Sequence, residues 1–234
     1  MLPDFEICCD SFKKYNLVLS EELYRKLDIY ADFLVEYNQN VNLTALTKPH
    51  DILYKHFIDS ILLALYVDIK ENSRIIDVGT GAGFPSVPIK LFRPDVKITL
   101  LDSLNKRIVF LQKLCEKLEI DAEFVHGRAE DISKNTEYRE KFDISCARAV
   151  ANMSLLSELC IPFVKIGGIF TAMKGPTEDI MLGSNAVDIL GGTIESIKEY
   201  AIEDEGRKVV VVRKISQTPT KYPRNSSQIK KKNL

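Results

Sequence analysis

The stretch Ile75-Ile76-Asp77-Val78-Gly79-Thr80-Gly81-Ala82-Gly83-Phe84-Pro85 constrains this chain more than any other. It reads as a short buried strand, a turn made almost wholly of glycine and alanine, and a helix opened by Pro85, whose fixed φ and missing N–H suit a first helical turn. A strand feeding such a turn is a cradle for a nucleotide-like ligand. Absent Cβ atoms let backbone approach a flat group, and the following helix offers unpaired N–H groups to an anionic end. Further strands are expected from Lys97 to Leu101, ending at Asp102, and at Ala122 to His126, Phe142 to Cys146 and Ile169 to Met173. They alternate with helices at Asn105 to Leu118, Met153 to Leu159 and Glu178 to Leu190, which is the pattern of a doubly wound α/β sheet. Thr193 to Tyr200 and Arg207 to Lys214 flank the polar turn Glu203-Asp204-Glu205-Gly206, so the last pair of strands is expected to be antiparallel.

Ahead of this core, residues 1–66 read as a helical cap. Ser20 is an N-cap candidate before Leu23, Leu27, Tyr30, Leu34 and Tyr37 at helical spacing, and a second helix follows Pro49 with Phe57, Ile61 and Leu65 on its apolar side. Asn38 to Thr44 breaks the pattern and reads as a loop. Residues 67–218 then form the core and 219–234 a basic tail. That tail holds five basic residues and no acid, which leaves the preceding body at a formal charge of −6 within a net charge of −1. Taken alone, the tail is either a solvated end or a local polyanion contact. Composition is that of an ordinary soluble protein, with no apolar run of membrane-spanning length and no signal-peptide pattern, so a cytoplasmic location without membrane association is expected. Five cysteines lack a C-x-x-C spacing and three histidines are scattered, so neither disulfides nor a metal is expected.

The glycines fall as G-x-G-x-G at Gly79, Gly81 and Gly83, whereas a dinucleotide fingerprint needs G-x-G-x-x-G. Asp77, two residues ahead, would repel a pyrophosphate but favours the ammonium and sulfonium of S-adenosylmethionine (SAM). The pattern resembles the first motif of class I methyltransferases. Residues just after each strand are then the ones to inspect. Asp102 is placed to accept ribose hydroxyls, the alternative being a cap on the next helix. Gly127 to Asp131, with Ala129 and Glu130, follows the strand where adenine would lie. Arg148 follows the fourth predicted strand, facing the transferred methyl group; it cannot be a base, but it can grip a phosphate or an electron-rich base edge. The Asp/Asn-Pro-Pro-aromatic motif of amino-group methylation is absent, and Cys146 lacks the preceding proline of a covalent cytosine mechanism. Lack of an evident general base fits a ring nitrogen with a free lone pair, such as guanine N7, without selecting it.

An ordered series across nearly the whole chain resembles the RsmG (GidB) family of small-subunit ribosomal RNA methyltransferases. It comprises Asn42-Leu43-Thr44, His56 with Asp59-Ser60, Asp77 to Pro85, Leu101-Asp102-Ser103, Lys106-Arg107, Arg128-Ala129-Glu130, Arg148-Ala149, Gly167-Gly168, Lys174-Gly175 and Lys221-Tyr222-Pro223-Arg224. The resemblance implies a class I fold with an antiparallel last strand and SAM-dependent N7 methylation of a guanine in the decoding-region loop of 16S rRNA. The partner implied is that RNA or the small subunit, and the working expectation is a monomer. Cofactor residues implied are Gly79, Phe84, Asp102, Ser103, Leu104, Ala129, Glu130 and Arg148, beside Asp77, Gly81 and Gly83 from the loop itself. Arg128, Arg148 and Lys174 become candidates for catalysis. Asn42, His56, Lys174, Lys221, Arg224, Lys230, Lys231 and Lys232 become candidates for RNA contact. The bland alternatives are that Asn42 holds its own loop, that His56 is a satisfied core histidine and that Lys174 snorkels. The family usually has Ser at Thr80 and Gly at Ser86, and a Gly and two prolines at Ser227, Ile229 and Asn233. A small-molecule methyltransferase and a noncatalytic RNA-binding assembly factor are the competing functions, and a dehydrogenase comes last.

Overall fold

The computed structural model describes residues 1–148 and 151–234, and every side chain among them except that of Lys230. Ala149 and the Lys230 side chain, both singled out above, lie outside that description. Among the described residues seven strands form one sheet: β1 (Arg74–Val78), β2 (Lys97–Asp102), β3 (Glu123–His126), β4 (Phe142–Arg148), β5 (Val164–Lys174), β6 (Gly192–Ile202) and β7 (Glu205–Lys214). Their order is β3-β2-β1-β4-β5-β7-β6. The first five are parallel, and β7 runs antiparallel to both neighbours. Strand order reverses direction between β1 and β4, and the crevice outside their carboxyl ends is where such sheets bind ligands.

Alternation along each strand divides the core in two. Ile75, Ile144, Val209 and Val211 face a cluster shared with the N-terminal helices, α1 (Phe5–Lys13) and α2 (Glu21–Asn38), and with α5 (Ser86–Phe92) and α6 (Asn105–Leu118). Ile76, Val78, Ala147, Val210 and Val212 face the other cluster, with α8 (Met153–Cys160) and α9 (Ser184–Ile189). Residues 1–66 thus share one continuous core with the sheet. Ser20 caps α2 by accepting from the Leu23 N–H at 3.1 Å, as expected.

The helix after Pro49 is composite: α3 (Pro49–Asp51), a π-helical stretch Ile52–Ile58 and α4 (Asp59–Tyr66). Phe57 and Ile61 are fully buried, but Leu65 is exposed. Each step of four residues advances about 40° around a helix, and by Leu65 the side chain has left the core face. The helix expected at Glu178 to Leu190 is instead a 3₁₀ turn, Ile180–Gly183, followed by the short α9. Asp179 caps that turn by accepting from the Met181 N–H, and α8 packs so closely on its end that a Cβ on Gly183 would come within 2.6 Å of Met153.

Candidate active site

The glycine loop leaves β1 at Val78 and turns back under the end of β2, where the Gly79 and Thr80 N–H groups donate to the Leu101 carbonyl. Gly81 has φ +61°, and a Cβ there would meet nothing nearer than the Gly79 carbonyl at 3.9 Å; its free side faces the open cleft. Gly83 is glycine for a different reason. A Cβ would strike the Tyr30 hydroxyl and Val87 at 2.8 Å, because α2 packs directly against the loop and Tyr30 donates to the Ala82 carbonyl. Asp77 lies behind the loop, fully buried. Its Oδ2 accepts from Thr80 Oγ1 at 3.0 Å and from the Ser86 N–H at 3.2 Å, its Oδ1 has no partner, and burial pushes its pKa up to about 7. Two expectations are corrected here. Pro85 precedes α5 as its cap, and the first N–H of that helix serves Asp77 while the next serves the Gly83 carbonyl, so neither awaits an anionic ligand group.

Asp102 is 2% exposed at the end of β2. Its Oδ2 accepts from the Gly81 N–H at 3.0 Å and from Arg107 Nη1 at 3.2 Å, and its Oδ1 from the Leu104 N–H at 2.9 Å. It therefore does cap the turn into α6, and it also tethers the glycine loop. Beyond it, Ala129 and Glu130 open α7 (Ala129–Ile132) and line a compartment of about 240 Å³ with Val78, Leu101, Ser103, Leu155 and Ile229.

At the switch point, the waist where two compartments share a wall, side chains gather around Arg148. Nη1 donates to the Lys55 carbonyl at 2.9 Å and lies 3.3 Å from Asp59 Oδ2, Nη2 donates to His56 Nδ1 at 3.0 Å, and the guanidinium carbon sits 4.8 Å from the Phe84 ring centre. Arginine only donates, so His56 Nδ1 carries the lone pair and the proton is on Nε2, which donates to Thr44 Oγ1 at 2.8 Å. Burial, reinforced by the Arg148 charge, lowers the His56 pKa to about 3, so the ring is neutral at physiological pH. The imidazole stacks on Phe84 at 4.3 Å, and Tyr30 stacks on Phe84 at 5.3 Å. Asp59 is completed by the Tyr200 hydroxyl at 2.7 Å, whose pKa is raised mainly by its burial and then by that carboxylate.

Three compartments meet here. The one at Glu130 shares Gly79, Asp102 and Ser103 with a central compartment of about 400 Å³, and this shares His56 and Arg148 with a third of about 700 Å³ walled by Lys55, Lys174, Glu178 and Arg207. The three lie in a row along the ends of β3, β2, β1, β4 and β5, each sharing wall residues with the next.

Comparison with known proteins decides the family. The chain matches the GidB family, described as rRNA small subunit methyltransferase G, over residues 23–209. It is 46% identical over 233 residues to the ribosomal RNA small subunit methyltransferase G of Clostridium kluyveri, covering 98% of both chains. It is 47% identical over 221 residues to that of Oceanobacillus iheyensis, covering 92% of this chain and 93% of the other. This chain belongs to the GidB family. Solved structures agree on the fold. A SAM-dependent O-methyltransferase of Thermotoga maritima has a TM-score of 0.54 at 16% identity, covering 87% of this chain and 74% of its own. TrmN from Thermus thermophilus also scores 0.54 at 15% identity, with 70% and 53% covered.

For a GidB-family methyltransferase the cofactor is SAM, and the cleft fits it. Gly81 leaves space where any side chain would intrude, Arg107 Nε is a buried donor with no partner beside the loop, and Asp102 presents a carboxylate at the seam of two compartments. Gly79, Phe84, Asp102, Ser103, Ala129, Glu130 and Arg148 all line the cleft. Leu104 contributes the N–H that fixes Asp102. Asp77 and Gly83 lie behind the cleft wall as supports of the loop.

Other placements differ from the sequence reading. Arg128, a catalytic candidate, lines the Glu130 end, away from the compartments that hold Arg148. Lys174 borders the third compartment, but its ammonium is bonded to the Ala151 carbonyl and lies 2.9 Å from Glu178, so it is a buried, partnered cation rather than a free RNA ligand. His56 has both nitrogens engaged within the protein. Asn42 is exposed, and the loop is held by Asn38 instead, which accepts from Leu43 and Thr44 N–H and donates to the Thr44 carbonyl. Lys221, Lys231 and Lys232 are exposed, but Arg224 is committed to Glu158 through Nε at 2.9 Å and Nη2 at 2.6 Å. Sequence reasoning missed Lys55, Tyr200 and Glu205, and saw Tyr30 only as core. Residue type alone carries no signal for contacts that span 141 positions, such as Tyr200 with Asp59, or 150, such as Lys55 with Glu205.

Proposed function

We propose that the chain transfers the SAM methyl group to N7 of a guanine in the decoding-region loop of 16S rRNA, working as a cytoplasmic monomer. The observation that carries this reading is the row of adjoining compartments, with the Arg148–His56–Phe84 cluster standing between the cofactor side and the third compartment. The cofactor, when bound, supplies an electrophilic methyl group. Asp102 would accept its ribose hydroxyls, the backbone at Gly79 and Gly81 would flank its methionine portion, and Ala129 and Glu130 would meet the adenine. Asp102 already accepts three hydrogen bonds of the roughly four a carboxylate takes, so Arg107 or the Gly81 N–H yields when a diol binds.

The chemistry of the waist supports a ring nitrogen as acceptor. His56 is neutral with both nitrogens occupied, Asp59 is held by Arg148 and Tyr200, and Lys55 is paired with Asp51 and Glu205. None of these is free to take a proton, and a lone pair such as that of N7 needs none removed. Catalysis then rests on alignment and on fixed dipoles. Asn42, Lys221, Lys231 and Lys232 offer the exposed polar and basic groups for RNA. The test is transfer of labelled methyl from SAM to unmethylated small subunits and to their deproteinised RNA, with the product mapped by N7-sensitive strand cleavage. Label at one guanine N7 is expected; label elsewhere, or none despite SAM binding, removes the proposal.

A further inference from the structure

The C-terminal segment, read from sequence as a basic arm for RNA, folds back onto the protein. Arg224 forks onto the Glu158 carboxylate, which is 1% exposed, and its own N–H donates to the same group at 2.8 Å. Arg139 donates to the carbonyls of Thr218 at 2.8 Å and Tyr222 at 3.0 Å, and Ser154 Oγ donates to the Leu234 carbonyl at 3.1 Å. These anchors place α10 (Ser226–Lys231) directly over the Glu130 compartment. A capping box between Asn225 and Gln228 starts that helix, and its first turn faces the cleft. Ile229 is 6% exposed and lines the compartment opposite Val78 and Leu101, and Ser226 Oγ is hydrogen-bonded to Glu130 Oε1.

A slot lined mainly by aliphatic side chains, with the Glu130 carboxylate in addition to the Asp102 carboxylate it shares with the central compartment, matches a purine: flat faces for aliphatic side chains, and an exocyclic amine for an acceptor. We infer that α10 is the outer wall of the adenine compartment, with Ile229 packing on the adenine face and Ser226 positioning the Glu130 carboxylate toward the exocyclic amine. Ile229 is thus a binding residue and Ser226 a positioning residue, in a segment whose composition read as either a solvated end or a polyanion contact. This inference rests on the reading of the cleft as the SAM site.

The experiment uses the full chain, S-adenosylhomocysteine, and S-inosylhomocysteine, in which an oxo group replaces the amine. Ile229→Ala is expected to weaken binding of both ligands about tenfold by calorimetry, equivalent to about 1.4 kcal/mol. Ile229→Val should recover most of that loss. Ser226→Ala is expected to weaken S-adenosylhomocysteine about threefold while leaving S-inosylhomocysteine unchanged, narrowing the preference between them; damage to the fold would instead weaken both alike. In the unaltered chain, amides of α10 should gain hydrogen-exchange protection when S-adenosylhomocysteine binds. Full affinity in Ile229→Ala, or no change in α10 protection on binding, overturns the proposal. Failure of either ligand to bind the unaltered chain removes the cofactor site itself, and the proposal with it.

Discussion

The Gly79 end of the cleft and its waist at Arg148 are built by opposite means. At the first, functional groups come from turns that immediately follow β1, β2 and β3, and backbone supplies much of the surface: the Gly79 and Gly81 turn, the Leu104 N–H that sets Asp102, the opening of α7 at Ala129. At the second, side chains from remote parts of the chain interlock, with Arg148 meeting residues 89 to 93 positions away and Tyr200 reaching Asp59 across 141. A site of turns tolerates side-chain changes that leave its backbone path intact. A site of interlocked charges does not, because removing one partner strands another out of water.

The sharpest way to break this contrast is to change the loop without touching the fold. Gly81→Asp places its new carboxylate in open cleft space near Asp102, where it occludes the ligand and adds like charge, while aspartate bears the left-handed φ better than most residues. SAM affinity is expected to fall by more than about 100-fold, on the scale of two tenfold steps of about 1.4 kcal/mol each, with little loss of thermal stability. Near-normal affinity by calorimetry would show that the glycine loop is not the cradle.

Arg148→Ala strikes the other half. Asp59 Oδ2 and the His56 lone pair lose their donor while remaining buried, and Phe84 loses the cation above its face. Methyl transfer should fall roughly 100-fold, the scale seen when a single aligned electrostatic group is removed. Stability should drop by about 3 kcal/mol, the cost of breaking a buried pair. SAM affinity should change far less than turnover. Equal losses in both would mean that the two halves are not separable.

What the sequence shows follows the same division. The strand after Ser73, the acid ending β2 and the limits of α6 are readable because alternation and helical spacing are local signals. The role of Tyr30 was not, because its spacing marks only a core face, whereas its hydroxyl grips the Ala82 carbonyl 52 residues away. The tail misled for a related reason. Arg224 and the lysines read alike as charge, and only the fold brings Glu158 to Arg224 and turns one of them inward. Family resemblance supplied the activity, which spacing alone left open.

Asp77 tests whether the loop's support can be separated from its surface. Its folded pKa of about 7 lies above its ordinary 3.8, so between those values the folded state holds a proton that the unfolded state has lost. Stability from this group is fully present below about pH 4 and is lost as pH rises through about 7. Asp77→Asn mimics the protonated carboxyl, and its oxygen can still accept from Thr80 and Ser86. The variant should lack that slope and be more stable than the native chain at pH 8, by a few kcal/mol at most, in denaturant titrations at pH 5 and pH 8. A parallel pH dependence in both proteins would place an ionised Asp77 under the loop.

The smallest expected effect is a null one, at His56. Its Nδ1 accepts from Arg148 and its Nε2–H donates to Thr44, so protonation would set a new N–H against a guanidinium that can only donate. With a folded pKa of about 3 against an ordinary 6.5, the group's contribution to stability is complete above about pH 6.5 and declines as pH falls toward 3, since the unfolded imidazole takes its proton first. Nitrogen-detected NMR should therefore find one tautomer, protonated at Nε2, with shifts unchanged from pH 8 to pH 5. A ring titrating near 6 would mean that the Arg148 contact opens in solution. His56 would then become a usable base, and the waist would no longer favour an acceptor that needs no proton removed.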